Sequence, residues 1–413
     1  MKRFLFVFIL AIGTHSGAQD LKFEHYNDND GLSHNSVRHI VQDGKGFLWL
    51  GTFSGLNRFD GYQFKTYLSN SNTKNELYND DITVLKLDEE SNNLWIGTRK
   101  GLTRLELDTQ TFTTFLPDKN NPGTFPDEEI RSVHIDEFKR IWVGTKSTGL
   151  FLFFPDENRF EKVELPGYNY IKEIFEDKNG NIWVGSYDTA SIAKIKLNST
   201  GEITEVNNYT LSIPNSVAVN PYINFIYEDD KSDIFVGTRE GLYKYNKETN
   251  IFDNLYINDN EIRDNLGPYF LSVARAPDGR YWVGTLGGLL VCNQLEDIAK
   301  GDFQWHYSKL SDSTSLVDNL ISALYFDSSG VLWIGTEDGL DKYDPFENQF
   351  KINKDISKYI NNQAPRIRGF TKTFDDRIIV ATRHHGLFIS KENTFIPLYN
   401  DNIDIASIFS TDG

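Results

Sequence analysis

The 413-residue chain has one cysteine, Cys292, and one methionine, Met1. No intrachain disulfide can form, and no cysteine-based zinc cluster can be assembled. Basic residues are scarce: 42 Lys and Arg stand against 59 Asp and Glu, a net charge of −17. Phosphate binding needs clustered Lys and Arg, so this balance argues against nucleic acid as a direct partner. Long hydrophobic runs are equally rare. The one that stands out, FLFVFILAIG at residues 4–13, follows Met1, Lys2 and Arg3 and precedes the small residues Ser16, Gly17 and Ala18. This is the arrangement of a secretory signal peptide over residues 1–18, cleaved before Gln19. Its apolar run falls short of the ~20 residues that span a bilayer. No later segment reads as a membrane span, so the chain as given is expected to be exported to the periplasm.

Aromatic residues are what the chain has in plenty: 30 Phe, 20 Tyr and 7 Trp, or 14 %. That composition excludes disorder and collagen and points to a β-rich globular protein. Length alone suggests about three domains, but an internal repeat overrides that prior. One phrase recurs: LWLGTFSGLNRF (48–59), LWIGTRKGLTRL (94–105), IWVGTKSTGLFLF (141–153), IWVGSYDTASIAKI (182–195), IFVGTREGLYKY (234–245), YWVGTLGGLLVC (281–292), LWIGTEDGLDKY (332–343) and IIVATRHHGLFI (378–389). Its first glycine falls at Gly51, Gly97, Gly144, Gly185, Gly237, Gly284 and Gly335, with Ala381 in the eighth copy, at spacings of 46, 47, 41, 52, 47, 51 and 46 residues.

A period near 47 admits helix pairs or four-stranded blades. Short alternating or apolar runs such as SVRHIVQ (36–42), ITVLKLD (82–88) and ISALYFD (321–327) precede the phrase and decide for strands. They end in turn chemistry, for example Asp43-Gly44-Lys45-Gly46 and Asp177-Lys178-Asn179-Gly180. A shorter aromatic strand follows the Gly-Leu strand, which makes four strands per unit. The predicted fold is therefore all-β: a β-propeller of four-stranded antiparallel blades. In this fold the phrase's first glycine permits close approach of a neighbouring backbone. Six of the seven tryptophans (Trp49, Trp95, Trp142, Trp183, Trp282 and Trp333) stand two residues before that glycine or its equivalent, and are expected to fill the space between blades. Trp305 lies outside the slot.

Residues 22–26 resemble the outermost strand of a blade without a preceding partner. Residues 19–350 are accordingly read as one closed seven-bladed ring, with 351–413 the first blade and part of the next blade of a second propeller, since 405–413 restate a first strand and turn. A single eight-bladed ring is the alternative. Strand order puts the Gly-Thr-x-x-Gly hairpins and the loops entering each first strand, such as Leu32-Ser33-His34-Asn35, on one face.

The Leu-Trp-Ile-Gly-Thr-x-x-Gly-Leu phrase, its Asp-x-x-Gly turn and the opening Asp30-Gly31-Leu32-Ser33-His34-Asn35-Ser36-Val37 resemble two-component regulator propeller repeats. Residues 49–62 look like the first blade of the hybrid two-component sensors of Bacteroidetes. The resemblance covers nearly the whole mature chain and implies a periplasmic sensor. In that family two propellers and a small β-sandwich precede a transmembrane helix and a histidine kinase, and the ligands are oligosaccharides released from complex glycans. It further implies a homodimer of an inner-membrane-anchored full-length protein. The fourth copy departs from the pattern, with Ser186 for threonine and Ala190-Ser191-Ile192 in place of Gly-Leu.

No metalloprotease, nucleophile-elbow or phosphate-loop motif is present, so no catalytic residue, metal ligand or cofactor is assigned. Asp28-Asn29-Asp30-Gly31 reads as a plain turn, and His384-His385 as a solvated hairpin tip. A secreted propeller glycosidase or lyase, with carboxylates scattered among blades, and a scaffold or adhesin remain alternatives. The candidate ligand residues are Arg99, Lys146 and Arg239, which directly follow Gly-Thr in their copies, with His34 and Asn35 on the same face. Basic side chains there, in so acidic a chain, would attract an anionic oligosaccharide such as a uronate-containing or sulfated one. The competing reading pairs each with a neighbouring carboxylate.

Overall fold

Each alternating run before a Gly-Thr phrase forms the first strand of a four-stranded antiparallel sheet. A computed structural model of the chain describes residues 21–69, 76–117, 129–187, 189–211, 222–255, 269–346, 355–360, 366–375, 377–391 and 394–399. The expected signal peptide and the restart at 405–413 lie outside the described residues. The chain divides into two units, Met1–Asp344 and Pro345–Gly413.

Among the described residues the first unit comprises seven sheets. Blade 1 comprises Val37–Gln42, Leu48–Thr52, Gly55–Phe59 and Phe64–Tyr67, hydrogen-bonded in that order. The first strands of blades 2 to 7 are Ile82–Asp88, Ile130–Ile135, Ile171–Glu176, Ile223–Glu228, Phe270–Arg275 and Ile321–Phe326. Consecutive first strands adjoin one another, and that of blade 7 adjoins that of blade 1, so the ring is closed around an axis. Blade 7 takes its fourth strand from the N-terminal side: Glu24–Tyr26 pairs antiparallel with Leu340–Tyr343. His25 Nδ1 lies 2.6 Å from Asp341 Oδ1, and Lys342 Nζ lies 2.9 Å from Glu24.

Between blades the core is aromatic. Trp49 packs with Ile82, Leu85 and Leu94 of blade 2, and Trp142 with Ile171, Ile174 and Val184 of blade 4. Trp183 packs with Tyr245 and Phe252 of blade 5, and Trp333 with Val37, Leu50 and Phe59 of blade 1. Burying each such ring removes enough apolar surface to contribute about 2–3 kcal/mol. The indoles are also held polar end first. The turn aspartates Asp43, Asp136, Asp177 and Asp327 each accept a 2.8 Å hydrogen bond from the indole N–H of Trp49, Trp142, Trp183 and Trp333 on one oxygen. Their other oxygen accepts backbone N–H groups of the turn, as Asp43 does from Lys45 and Phe47. Blade 6 has Ala276 at this position, and the buried indole N–H of Trp282 has no acceptor.

The phrase glycine makes room for the next blade. A Cβ on Gly51, Gly97 or Gly185 would stand 2.6–2.9 Å from Cγ2 of Ile82, Ile130 or Ile223, the leading residue of the following first strand. At the ring closure a Cβ on Gly335 would meet the Val37 carbonyl oxygen at 2.5 Å. Ser322 Oγ donates to that same oxygen at 2.6 Å. In the fourth copy the register sets Ile192 opposite Gly185, so Ser191 stands where other copies have glycine and Ala190 takes the left-handed step at φ 55°.

Among the described residues the second unit contains one four-stranded sheet, Ile367–Lys372, Ile378–Thr382, Leu387–Lys391 and Thr394–Tyr399, and the short helix Asp355–Lys358. Its core is Ile356, Ile360, Val380 and Phe388.

Two outcomes test this packing. Gly335→Ala should destabilise the ring by about 1–3 kcal/mol in urea unfolding, because its methyl would collide with backbone across the closure; unchanged stability would contradict the packing. Ala276→Asp should stabilise by about 1 kcal/mol by supplying the missing acceptor for Trp282, and a loss of stability would show that blade 6 cannot accommodate the carboxylate.

Candidate functional site

The backbone of the mouth repeats while its side chains do not. In six blades the residue after Gly-Thr or Gly-Ser donates its N–H to the carbonyl of the residue entering that blade's first strand. The pairs are Phe53 to Ser36, Arg99 to Asp81, Lys146 to Glu129, Tyr187 to Tyr170, Arg239 to Tyr222 and Leu286 to Tyr269. This fixes two side chains per blade side by side on one rim. The threonine of the phrase supports the hairpin from beneath: Thr52 Oγ1 donates to the Gly55 carbonyl at 2.9 Å and accepts from Ser54 N–H at 3.1 Å.

On blades 1 to 3 the rim is a network of ion pairs. Asp81 binds Arg38 at 3.0 Å and Arg99 at 2.7 Å, while Glu129 binds Lys146 at 2.7 Å and also Arg131. Arg38 and Arg99 further lie over the Phe53 ring. Arg99 and Lys146 are therefore brought together, but on carboxylates. His34 Nδ1 accepts the Ser36 N–H at 3.0 Å and its ring packs on Phe53. Asn35 accepts from Asp28 N–H and donates to Asp338 of blade 7 at 3.2 Å, tying the first loop to the last hairpin.

Blades 4 to 6 carry a different surface. Tyr170, Tyr187 and Tyr222 form a continuous stack with ring centres 4.5 and 4.2 Å apart. The Arg239 guanidinium carbon lies 4.8, 5.5 and 5.6 Å from the ring centres of Tyr222, Tyr187 and Tyr269. Among the described residues no carboxylate pairs with Arg239. Arg131 lies over Tyr170 at the other end of the stack, 5.4 Å from its centre. Each cation over an aromatic face contributes about 0.5–1 kcal/mol at such a surface.

Below the rim, the first strands place ionisable side chains around the axis. His39, Lys172 and Glu173 keep some contact with solvent yet are surrounded by protein, as the lining of a narrow channel is. His39 and Lys172 lie on the innermost strands of blades 1 and 4, and the charge of Lys172 reaches His39. Burial, helped by Lys172, pushes the His39 imidazole down to about 3, which keeps it neutral. Burial pushes the Glu173 carboxyl up to about 7 against the pull of Lys172 and Lys86. Both lysines are lowered by burial. Toward the opposite face the polar groups are paired: His134 Nε2 lies 3.2 Å from Glu176, whose other oxygen accepts the Glu137 N–H. Tyr170, Tyr222, Tyr269 and Lys172 were not singled out from sequence. The signal was available, because aligning the residue that enters each first strand displays Ser36, Asp81, Glu129, Tyr170, Tyr222 and Tyr269 as one column.

Trp305, without a place in the repeat, donates its indole N–H to the Gly287 carbonyl at 3.0 Å and packs against Tyr307 on the outer strand of blade 6. Among the described residues no group of His, Cys, Asp and Glu could hold a metal ion, and no helix is long and apolar enough to cross a membrane.

These features define a seven-bladed β-propeller whose constant scaffold carries a chemically varied mouth. The family model for the two component regulator propeller matches residues 31–54, 165–188 and 315–338, the stretches that lead from the loop before a first strand to the Gly-Thr hairpin in blades 1, 4 and 7. Three of the chain's repeats, those of blades 1, 4 and 7, thus match the two-component regulator propeller. It is 29 % identical over 247 residues to histidine kinase P4 of Formosa agariphila, a match covering 46 % of this chain and 18 % of that protein. Among solved structures, the extracellular domain of a hybrid two-component system from B. thetaiotaomicron superposes with a TM-score of 0.65 at 20 % identity, covering 92 % of this chain and 50 % of that one. A streptogramin B lyase superposes with a TM-score of 0.57 at 13 % identity, over 78 % of this chain and 97 % of the lyase. The chain thus spans half or less of the two-component proteins it matches. At these identities the structural likenesses establish the propeller fold.

Glu173 gives a pH test of the channel. Its carboxyl is raised above its unfolded value, so the proton favours the folded state; that contribution is complete below the unfolded value and fades as pH rises through about 7. Glu173→Gln should therefore flatten the stability profile between pH 5 and 8, gaining on the order of 1 kcal/mol over wild type at the alkaline end. Parallel wild-type and variant melting curves across that range would contradict an enclosed Glu173.

Proposed function

We propose that this chain is the ligand-sensing region of a hybrid two-component histidine kinase, exported to the periplasm and non-catalytic in itself. Its ligand is an oligosaccharide derived from a glycan, bound at the mouth of the ring, where Arg239, the tyrosine stack and the His34 and Asn35 loop meet solvent. The carrying observation is the pairing of an invariant rim backbone with side chains that change class from blade to blade, in a chain of two-component regulator propeller repeats with a histidine kinase relative. A surface of stacked aromatics beside cations suits sugar hydroxyls and acidic substituents together. In the full-length protein a further propeller and a β-sandwich would follow, and binding would act by shifting the arrangement of a membrane-anchored homodimer.

The test pairs binding with signalling. Titration of the exported chain with oligosaccharides from a panel of digested polysaccharides should find one that binds, and the same sugar should induce transcription in cells carrying the full-length parent gene. Release of new reducing ends from any polysaccharide would instead favour the glycosidase or lyase reading. Binding without induction would favour a scaffold.

A further inference from the structure

The channel beneath the mouth holds a cation with no partner. Lys172 is the second residue of the innermost strand of blade 4, next to Glu173 in sequence. Among the described residues it makes neither a hydrogen bond nor an ion pair, although protein surrounds it. The charges that reach it are those of Glu173, Arg131, Arg38 and Arg239, three of the four repulsive. Arg38 and Arg131 are neutralised on the rim by Asp81 and Glu129, whereas Arg239 stands among tyrosines without a carboxylate. An enclosed ammonium left facing like charges is costly unless an anion joins it. In a chain of net charge −17 this is a local reversal of sign, and its place on the innermost strand two residues beyond Tyr170 of the rim, with part of its surface exposed, makes it reachable from the mouth.

We infer that the top of the axial channel is an anion site in which Lys172, flanked by Arg239, binds a carboxylate or sulfate group while the rest of the ligand rests on the Tyr170, Tyr187 and Tyr222 surface. This rests on the oligosaccharide reading above and sharpens it: the bound sugar is acidic, and its acidic group enters the ring. It also moves the recognition charge away from Arg99 and Lys146, whose cations are already matched on Asp81 and Glu129. The same chemistry would accept a free inorganic anion.

The experiment is calorimetric titration of the whole chain at low ionic strength with a galacturonate trisaccharide, the matched neutral galactose trisaccharide and sodium sulfate. Wild type, Lys172→Met, Lys172→Arg, Arg239→Gln and Arg99→Gln are compared, with circular dichroism and melting curves establishing that each is folded. The uronate should bind at least ten times more tightly than the neutral sugar. Lys172→Met should remove that preference, Arg239→Gln should weaken it, and Lys172→Arg and Arg99→Gln should retain it. Uronate affinity that survives in folded Lys172→Met overturns the site, as does a wild type that binds neither uronate nor sulfate. Equal binding of neutral and acidic sugars, indifferent to Lys172, overturns the anion site and leaves the oligosaccharide reading standing. Lys172-dependent binding of sulfate with no binding of either sugar supports the anion site and counts against the oligosaccharide reading.

Discussion

In four of the seven blades a turn aspartate holds a tryptophan, and this pair organises the contact between neighbouring blades. One carboxylate closes the hairpin between the first two strands by accepting turn amides, and with its second oxygen fixes an indole that packs into the next blade. Local turn geometry and contact between blades are thereby decided by a single side chain. An isolated four-stranded sheet has little apolar area to bury, so stability comes from the interfaces, and those interfaces are only as uniform as the indole orientation. Where the aspartate is missing, at Glu89 of blade 2 and Ala276 of blade 6, Trp95 and Trp282 still pack on their apolar contacts but each leaves a polar group unsatisfied. Blade 5 replaces indole with Phe235, which needs no acceptor, and Asp229 serves the turn alone.

A scaffold so determined from within leaves the rim free to vary. The glycine that admits the next blade's isoleucine, and the threonine that braces the hairpin, place two side chains per blade at the mouth whatever those side chains are. Blades 1 to 3 use the positions for a self-contained ion-pair network and blades 4 to 6 for aromatic surface and uncompensated charge. The mouth is therefore asymmetric although the backbone repeats, so a molecule resting on it would meet a different surface in each orientation.

Most of the fold was legible in the sequence because its determinants are local and recur. The 3- to 8-residue strands, the Asp-x-x-Gly turns and the tryptophan slot appear in register from copy to copy, and residues 22–26 could be recognised as a strand in want of a sheet. The site was legible only in part. Arg99, Lys146 and Arg239 occupy one repeat position, yet two are matched on carboxylates from the loops entering blades 2 and 3 and one is not. That difference lies in a second loop, some 17 residues earlier in the chain, and a single column cannot display it. Lys172 was harder still. Its isolation is a product of ring closure, which brings blades 1 and 4 to face each other across the axis, and no window of sequence contains both. The fourth copy, irregular by sequence, proves regular in packing: Trp183, Gly185 and Ile192 keep their places while the hairpin absorbs the change.

The ring is closed by a strand that belongs to the beginning of the chain, and this orders its assembly in time. The 2.6 Å contact of His25 with Asp341 joins residues 316 apart in sequence. During synthesis Glu24–Tyr26 leaves the ribosome first and has nothing to pair with until Leu340–Tyr343 follows. Blades 1 to 6 can form one after another from short-range contacts, whereas closure must wait for the longest loop in the unit and bears its entropy all at once. The N-terminal strand is among the first pieces to be made but finds its partner only in the last blade, and until it docks blade 7 lacks its outermost strand.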